Sequence, residues 1–373
     1  MDTTQAGSGQ HPRRGGSSPT SASARAIHHR REIEEAAARL EENRLTRFRT
    51  ANLDDADERR GLAAFHPMLE QKYFIETDET ANFYDIVCDH AMARKSGLYV
   101  TGEFRVGKTT AIENAVERLR TDMPWLAVLV HSAKRKPNQS KTALCNDMAM
   151  SFKCPTSRYQ DSADLLARFL MAEAVQAGSR TCLLFIDEAQ MFTVMHMRYL
   201  LEVWNELRLE GFLLISVLVG QEGLESLKML TSEEDHGAVV ARFFVKKFDL
   251  GGLHKLGDLG AYVRAFDGAL CCPTDAWPYT RFFCKRAFDA GWRLEQEADR
   301  LWTALVDYTS AGESTLSYAG FRLAFVNDAI HAFLLDSMKN DGKAFKGTST
   351  AWKEAIQAAA ESDLFIGRDR GNH

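Results

Sequence analysis

Apolar residues follow two rhythms along the middle of the chain. Short, nearly unbroken apolar runs occupy residues 98–101, 125–131, 182–186 and 212–219, and residues 243–248 form a fifth candidate strand. Between these runs, apolar residues recur at helical spacing. Strands that alternate with helices predict parallel pairing, and continuous apolar strands predict a sheet covered on both faces. We therefore expect an α/β fold with a central parallel sheet of five strands.

The pattern changes at both ends of this region. Gly, Ser and Thr with scattered Arg dominate the first residues, which have too little apolar content to offset the entropy lost on ordering. After residue 250, the apolar pattern predicts only helices. We expect a disordered basic tail at 1–28, a helical or irregular segment at 29–78, the α/β domain at 79–250, and a small helical lid domain with a C-terminal tail at 251–373. The helices expected in that last domain cover residues 253–266, 278–290, 294–309, 317–338 and 350–361.

Composition narrows the class of protein. The 373 residues are 45% hydrophobic and 26% charged, as in ordinary globular proteins, and the longest apolar run, 212–219, is too short to span a membrane. A net charge of −5 argues against nucleic-acid binding through overall positive charge but permits a local basic patch. Seven scattered cysteines without a CxxC pair predict free thiols in a reducing compartment, and hence a cytoplasmic location.

The segment after the first apolar run fits the pattern GxxxxGK[ST] at every fixed position. Its glycines allow successive backbone N–H groups to face phosphate oxygens, and the helix that follows adds its positive N-terminal end. Lys108 is expected to reach the β- and γ-phosphates of ATP, and Thr109 to ligate Mg²⁺. The predicted nucleotide-binding residues are Gly102, Glu103, Phe104, Arg105, Val106, Gly107, Lys108, Thr109 and Thr110.

Two carboxylates end the apolar run at 182–186. Open α/β sheets bind their ligands at the carboxyl ends of the strands, so these acids are expected beside the phosphate loop. Asp187 is then expected to hold Mg²⁺, through water or directly, and Glu188 to be the general base that activates the attacking water. The alternative is a strand that merely ends in solvated acids.

Four further polar residues are candidates for the same site. Gln221, which follows the run at 212–219, is placed to orient the water between Glu188 and the γ-phosphate, with Ser216 as a lesser candidate. Arg242, before the fifth strand, is a candidate arginine finger that reaches the nucleotide of a neighbouring subunit. Arg322, in the helical domain, is a candidate for a phosphate contact from the lid, or else a surface ion-pair residue.

Taken together, these features resemble an AAA+ ATPase over residues 60–340. Within that class, the strings at 218–224 (LVGQEGL) and 65–67 (FHP) are similar to the TnsC, TniB and MuB group of DNA transposition regulators, with ExeA-type ATPases as neighbours. The resemblance implies ATP-dependent assembly on double-stranded DNA, as a hexameric or heptameric ring or a helical filament, that links a target-selector protein to a transposase. The alternatives are an ExeA-like assembly ATPase acting on protein partners, and a nucleotide switch with little turnover.

A basic loop after the second apolar run offers a DNA contact that does not depend on the resemblance. Repeated around a ring, its side chains would bind phosphates without reading sequence. A flexible, solvated loop is the alternative. The predicted DNA-binding residues are Lys134, Arg135, Lys136 and Lys141.

Overall fold

A parallel sheet of five strands, in the order β2-β3-β4-β1-β5, forms the centre of the structure. The structure is a computed structural model that describes residues 20–135, 138–154, 162–233, 237–310 and 320–368. The fold class expected from the apolar pattern is confirmed. The strands are β1 (Leu98–Thr101), β2 (Ala127–Ser132), β3 (Thr181–Asp187), β4 (Leu213–Gly220) and β5 (Lys246–Asp249).

Helices connect the strands and make up the rest of the described fold. Each strand-to-strand crossover within the sheet contains at least one helix, as parallel pairing requires. The helices are α1 (Thr20–Thr50), α2 (Ala56–Ala63), α3 (Asp78–Met92), α4 (Lys108–Asp122), α5 (Lys141–Ser151), α6 (Ser162–Gln176), α7 (Val194–Leu209), α8 (Gly223–Glu233), α9 (Gly237–Phe243), α10 (Leu256–Arg264), α11 (Tyr279–Phe283), α12 (Lys285–Asp289), α13 (Ala298–Ser310), α14 (Leu323–Ser337) and α15 (Ser349–Arg368).

The interior strand β3 shows why an unbroken apolar run was needed. Every residue of β3 is buried. Leu184 and Ile186 pack into the core on one face of the sheet, together with α5, α6 and α7, whereas Leu183 and Phe185 pack on the other face with α3 and α4. Because successive side chains of a strand point to opposite faces, a strand with helices on both sides must be apolar at every position.

The fifth strand begins later than the apolar pattern predicted. Residues 243–248 were expected to be extended, but Phe243 closes α9 and the strand starts at Lys246. Val239 and Phe243, four residues apart, both point into the sheet core and hold this turn as a helix. β5 is an edge strand with an exposed lysine pair, Lys246 and Lys247.

The segment at 29–78, expected as a helical or irregular entry segment, packs into the core of the helical domain. Phe48, Leu53 and Met68 are buried in the same core as residues of α10 to α15. His66, fully buried, lies against the ring of Phe282 at a centroid distance of 4.4 Å. These contacts join residues more than 200 positions apart, so no local sequence pattern could predict them.

Helix α1 also starts earlier than expected. The predicted disordered tail at 1–28 and the structure disagree over residues 20–28, because α1 begins at Thr20. Ala22, Ala24 and Ala26 have the highest helix propensity of any residue type, which favours this extension. The remainder of the predicted tail, 1–19, lies outside the described residues.

The buried carboxylate of Glu297 ties α15 to the rest of the helical domain, so its removal is expected to destabilise the protein. The side chain is 2% exposed and accepts hydrogen bonds from the Trp292 indole (3.0 Å), Arg300 (2.9 Å) and the backbone N–H of Gly347 (3.0 Å). Glu297→Ala leaves buried donors without an acceptor, and we expect a loss of about 3 kcal/mol in the free energy of unfolding by urea. Glu295→Ala, on the exposed side of the same turn, should change it little.

Two negative findings concern the described residues. None of the helices within them combines the length and the apolar character needed to cross a lipid bilayer. No disulfide joins any of the seven cysteines, all of which lie in the described part of the chain. The thiol of Cys284, for example, is enclosed by the core of the helical domain, where burial raises its pKa.

Candidate functional site

The phosphate-binding loop lies between β1 and α4 in a conformation that depends on its glycines. Gly107 has φ +105° and Arg105 has φ +61°, both in the left-handed region. A Cβ atom on Gly102 would lie 2.9 Å from the carbonyl oxygen of Leu250. The loop therefore turns tightly and then opens α4 at Lys108, which is the arrangement expected from the sequence pattern.

Lys108 places its ammonium group inside the loop. The residue is 6% exposed, and Nζ donates hydrogen bonds to the carbonyl oxygens of Gly102 (2.9 Å) and Glu103 (2.6 Å). Burial lowers the pKa of Lys108, while the neighbouring carboxylates of Glu188, Asp187 and Glu103 oppose that shift. The loop thus surrounds a buried cation, the charge that a triphosphate requires.

The ends of α4 and β3 meet at a pair of oxygen ligands. The hydroxyl of Thr109 donates a hydrogen bond to Asp187 Oδ2 at 2.7 Å. Hydroxyl and carboxylate oxygens suit Mg²⁺, which usually takes one or two protein ligands and completes its shell with phosphates and water. The described residues hold no cluster of three or more His, Cys, Asp or Glu side chains that fits a metal ion, and this kind of site does not need one.

Glu188 follows β3 directly and lines a cavity beside the phosphate loop, which is described below. Its φ of +53° turns the chain sharply at this point. Oε2 of Glu188 accepts hydrogen bonds from the side-chain amides of Gln190 (2.5 Å) and Gln221 (3.4 Å). The structure therefore brings Gln221 to the predicted base, whereas Ser216 is fully buried within β4 and contacts the hydroxyl of Ser96 at 3.0 Å.

Gln190 is a residue of this site that the sequence analysis missed. It lies in the short 3₁₀ turn after β3, and besides Glu188 it contacts the backbone N–H of Gln221, which donates to Gln190 Oε1 at 3.1 Å. The available signal was a polar amide two positions after the Asp187-Glu188 pair. Only the fold shows that this amide reaches back to the end of β4.

A cavity of about 300 Å³ lies between the phosphate loop and the helical domain. The segment before α3 forms one wall, and α10 and α14 form another, where the Tyr262 hydroxyl donates to Asn327 Oδ1 at 2.8 Å. Its size and its mixture of aromatic and polar walls suit a nucleotide. The lining residues are Gln71, Tyr73, Phe74, Ile75, Thr80, Phe104, Arg105, Gly107, Lys108, Thr109, Thr110, Glu188, Tyr262, Leu323, Ala324 and Asn327.

The helical domain contacts the phosphate loop through a pair that the sequence did not indicate. Arg105 Nη2 and Asp328 Oδ2 form an ion pair at 2.9 Å, and the backbone N–H of Ala324 donates to the Arg105 carbonyl at 3.4 Å. Arg322, the predicted lid contact, is the N-cap residue of α14, and the cavity is lined by the two residues that follow it, Leu323 and Ala324.

Arg242 lies at the opposite end of the sheet from the phosphate loop of its own chain. Arg242 lies beside Gly97, the residue before β1: a Cβ atom on Gly97 would be 2.7 Å from the Arg242 carbonyl oxygen. The phosphate loop lies at the other end of β1. A four-residue strand spans about 13 Å. The guanidinium lies over the indole ring of Trp204, 4.8 Å from its centroid. Arg242 therefore lies away from the cavity of its own chain, with its guanidinium packed on Trp204.

The basic loop follows β2 at the same sheet edge as Asp187. Lys134 and Arg135 are exposed, Lys136 lies outside the described residues, and Lys141 forms an ion pair with Glu202 at 2.8 Å. Part of the expected positive charge is thus neutralised within the chain. A second cavity, of about 290 Å³, lies beside the loop and is lined by Arg135, Gln139, Gln190, Met191, Phe192, Thr193 and His196.

Comparison with known proteins agrees with this geometry. Residues 91–227 match the family model of an AAA domain. That range includes the phosphate loop, Asp187, Glu188 and Gln221. Among curated proteins, none matches the sequence.

Several solved structures are similar to the chain at low sequence identity. The Aeropyrum pernix ORC2 protein in its ADP form is 16% identical, with 75% of this chain and 67% of that chain covered and a TM-score of 0.48. The A. pernix ORC1 protein in complex with DNA is 11% identical, with coverage of 78% and 66% and a TM-score of 0.43. Drosophila ORC bound to DNA is 13% identical, with coverage of 87% and 49% and a TM-score of 0.43.

Proposed function

We propose that this protein is an AAA+ ATPase that hydrolyses ATP to ADP and phosphate with Mg²⁺. The observation that carries the proposal is the 2.7 Å hydrogen bond between Thr109 and Asp187, which joins the phosphate loop to the acid-bearing strand beside Glu188. Chance resemblance to a phosphate-loop pattern would not bring these two oxygens together at the edge of a nucleotide-sized cavity.

Each polar residue has a distinct part in the proposed reaction. Lys108 binds the β- and γ-phosphates, exchanging its two backbone carbonyl partners for phosphate oxygens. Thr109 and Asp187 would hold Mg²⁺, which would supply charge neutralisation on the phosphates. Glu188 accepts a proton from the attacking water, and Gln221 orients that water.

We infer a homo-oligomer in which a second copy of the chain completes the site. The position of Arg242 at the far end of the sheet fits an arginine finger that stabilises charge on the γ-phosphate in an adjacent subunit. A ring of six or seven subunits, or a helical filament, presents each finger to the next cavity. In this arrangement the assembled state depends on bound ATP.

The partner we propose is double-stranded DNA, bound without sequence preference and in the cytoplasm. Exposed Lys134 and Arg135 at the ligand edge of the sheet support it. The finer proposal, regulation of transposition by linking a target selector to a transposase, rests on the strings at 218–224 and 65–67. His66 of the second string is buried among the rings of Phe282 and Phe283, so packing alone accounts for a histidine at this position. An ExeA-like ATPase acting on protein partners is the alternative.

Binding of a short random-sequence duplex tests the DNA proposal. We expect tighter binding with ATP than with ADP or without nucleotide, measured by fluorescence anisotropy at several salt concentrations. The double variant Lys134→Ala/Arg135→Ala should weaken binding and lower the salt slope by up to about two per subunit, because each phosphate contact contributes about 0.9.

A matched pair of exposed lysines in the helical domain provides the control. Lys339→Ala/Lys353→Ala removes the same formal charge but should leave the salt slope unchanged. If the wild-type protein binds no duplex even at low salt, the DNA proposal fails and the protein-directed alternative remains.

A further inference from the structure

Gln190 links the predicted general base to the end of the neighbouring strand. Its Nε2 donates to Glu188 Oε2 at 2.5 Å, while its Oε1 accepts from the backbone N–H of Gln221 at 3.1 Å. The donor and the acceptor of one amide are therefore both used in a single bridge. One end of that bridge is a side chain that lines the nucleotide cavity, and the other is backbone at the end of β4.

Two glycines make room for this bridge. A Cβ atom on Gly220 would lie 2.4 Å from Gln190 Oε1, and one on Gly223 would lie 3.2 Å from Gln190 Cβ. The first distance is one that real Cβ atoms essentially never show, so any other residue at position 220 would displace the amide. The backbone around β4 is thus shaped to hold the Gln190 side chain where it lies.

The bridge matters because the torsions of a glutamate side chain do not by themselves fix the orientation of its carboxylate. Rotation about the last side-chain torsion of Glu is broad, so one oxygen faces water only if the other is held. Gln190 is the closer of the two amides on Oε2, at 2.5 Å against 3.4 Å for Gln221. A misplaced base costs rate even when substrate binding is intact.

We propose that Gln190 is a positioning residue for ATP hydrolysis, which holds the Glu188 carboxylate and fixes its orientation relative to the end of β4. This inference rests on the proposed function of Glu188 as general base. Gln190 acts through Glu188 and does not itself exchange a proton.

The decisive experiment is a double-mutant cycle on steady-state ATP hydrolysis. Gln190→Leu keeps the side-chain size but removes the amide, and we expect kcat to fall on the order of tenfold with KM for ATP unchanged. In the Glu188→Gln background the same change should cause no further loss, because the carboxylate that it positions is already absent. Gln296→Leu, an exposed glutamine in the helical domain, serves as the control for the substitution itself.

Gly220→Ala gives a second variant that disturbs the bridge without changing Gln190 itself. Its Cβ atom would lie 2.4 Å from Gln190 Oε1 and so displace the amide. We therefore expect kcat to fall with KM for ATP unchanged in the wild-type background, and no further loss in the Gln190→Leu background, where the amide is already absent.

The outcomes separate the inference from the proposed function. If Glu188→Gln hydrolyses ATP normally, the general-base assignment fails and the inference fails with it. If Glu188→Gln lowers kcat as expected but Gln190→Leu retains wild-type kcat, or lowers kcat by the same factor in both backgrounds, only the inference is overturned. Wild-type kcat in Gly220→Ala also overturns it, and this holds even if Gln190→Leu folds poorly.

Discussion

Lys108→Ala is expected to abolish ATP binding. The buried ammonium is the charge at the centre of the phosphate loop, where it is held by the carbonyl groups of Gly102 and Glu103. Alanine leaves the phosphates facing backbone dipoles alone, and the loss of charge-assisted hydrogen bonds should raise the Kd for ATP by about a hundredfold or more, roughly 3 kcal/mol. Titration calorimetry or a fluorescent ATP analogue measures the change.

Lys343→Ala, an exposed lysine far along the helical domain, is the control for loss of one positive charge. Its Kd for ATP should equal that of the wild type. Unchanged ATP affinity in Lys108→Ala would show that the loop between β1 and α4 does not bind the triphosphate, and the assignments of Asp187 and Glu188 would fall with it.

Glu188→Gln is expected to separate binding from hydrolysis. Glutamine retains the size of the side chain but cannot take a proton from water, so kcat should fall by about a hundredfold or more while ATP still binds. Because the assembled state is proposed to depend on bound ATP, the variant should also remain assembled in the presence of ATP. Phosphate release and light scattering measure the two effects.

Glu206→Gln, on the exposed side of α7, controls for the loss of one carboxylate. Its hydrolysis rate and assembly should match those of the wild type. Normal turnover by Glu188→Gln would mean that another group activates the water, and the remaining arrangement around Thr109 and Asp187 would then support nucleotide binding only.

Much of the site could be predicted because its parts are local in sequence. Gly102, Lys108 and Thr109 belong to one loop whose glycines and helix start are visible as a pattern, and Asp187 and Glu188 end an unmistakable apolar run. The rule that ligands bind at the carboxyl ends of parallel strands was enough to bring these two stretches together. The 2.7 Å contact between Thr109 and Asp187 agrees with that reasoning.

Other residues of the site depend on contacts that no local pattern records. Gln190 faces β4 because Glu188 adopts a left-handed backbone conformation, and the Arg105–Asp328 ion pair joins residues more than 200 positions apart. A single sequence gives the type of each side chain but not its partner. Arg322 was expected to contact the phosphates and stays a prediction, whereas the contact of the helical domain with the phosphate loop through Asp328, six residues further on, was not predicted.

The α/β sheet, the phosphate loop and the two acids after β3 could be predicted because periodicity and loop chemistry are properties of neighbouring residues. Long-range packing, in contrast, makes α1 and α2 part of the helical domain's core. Packing also places Arg242 at the far end of the sheet from its own cavity and pairs Lys141 with Glu202. Each of these depends on which distant surfaces are buried together, a choice made by the whole chain.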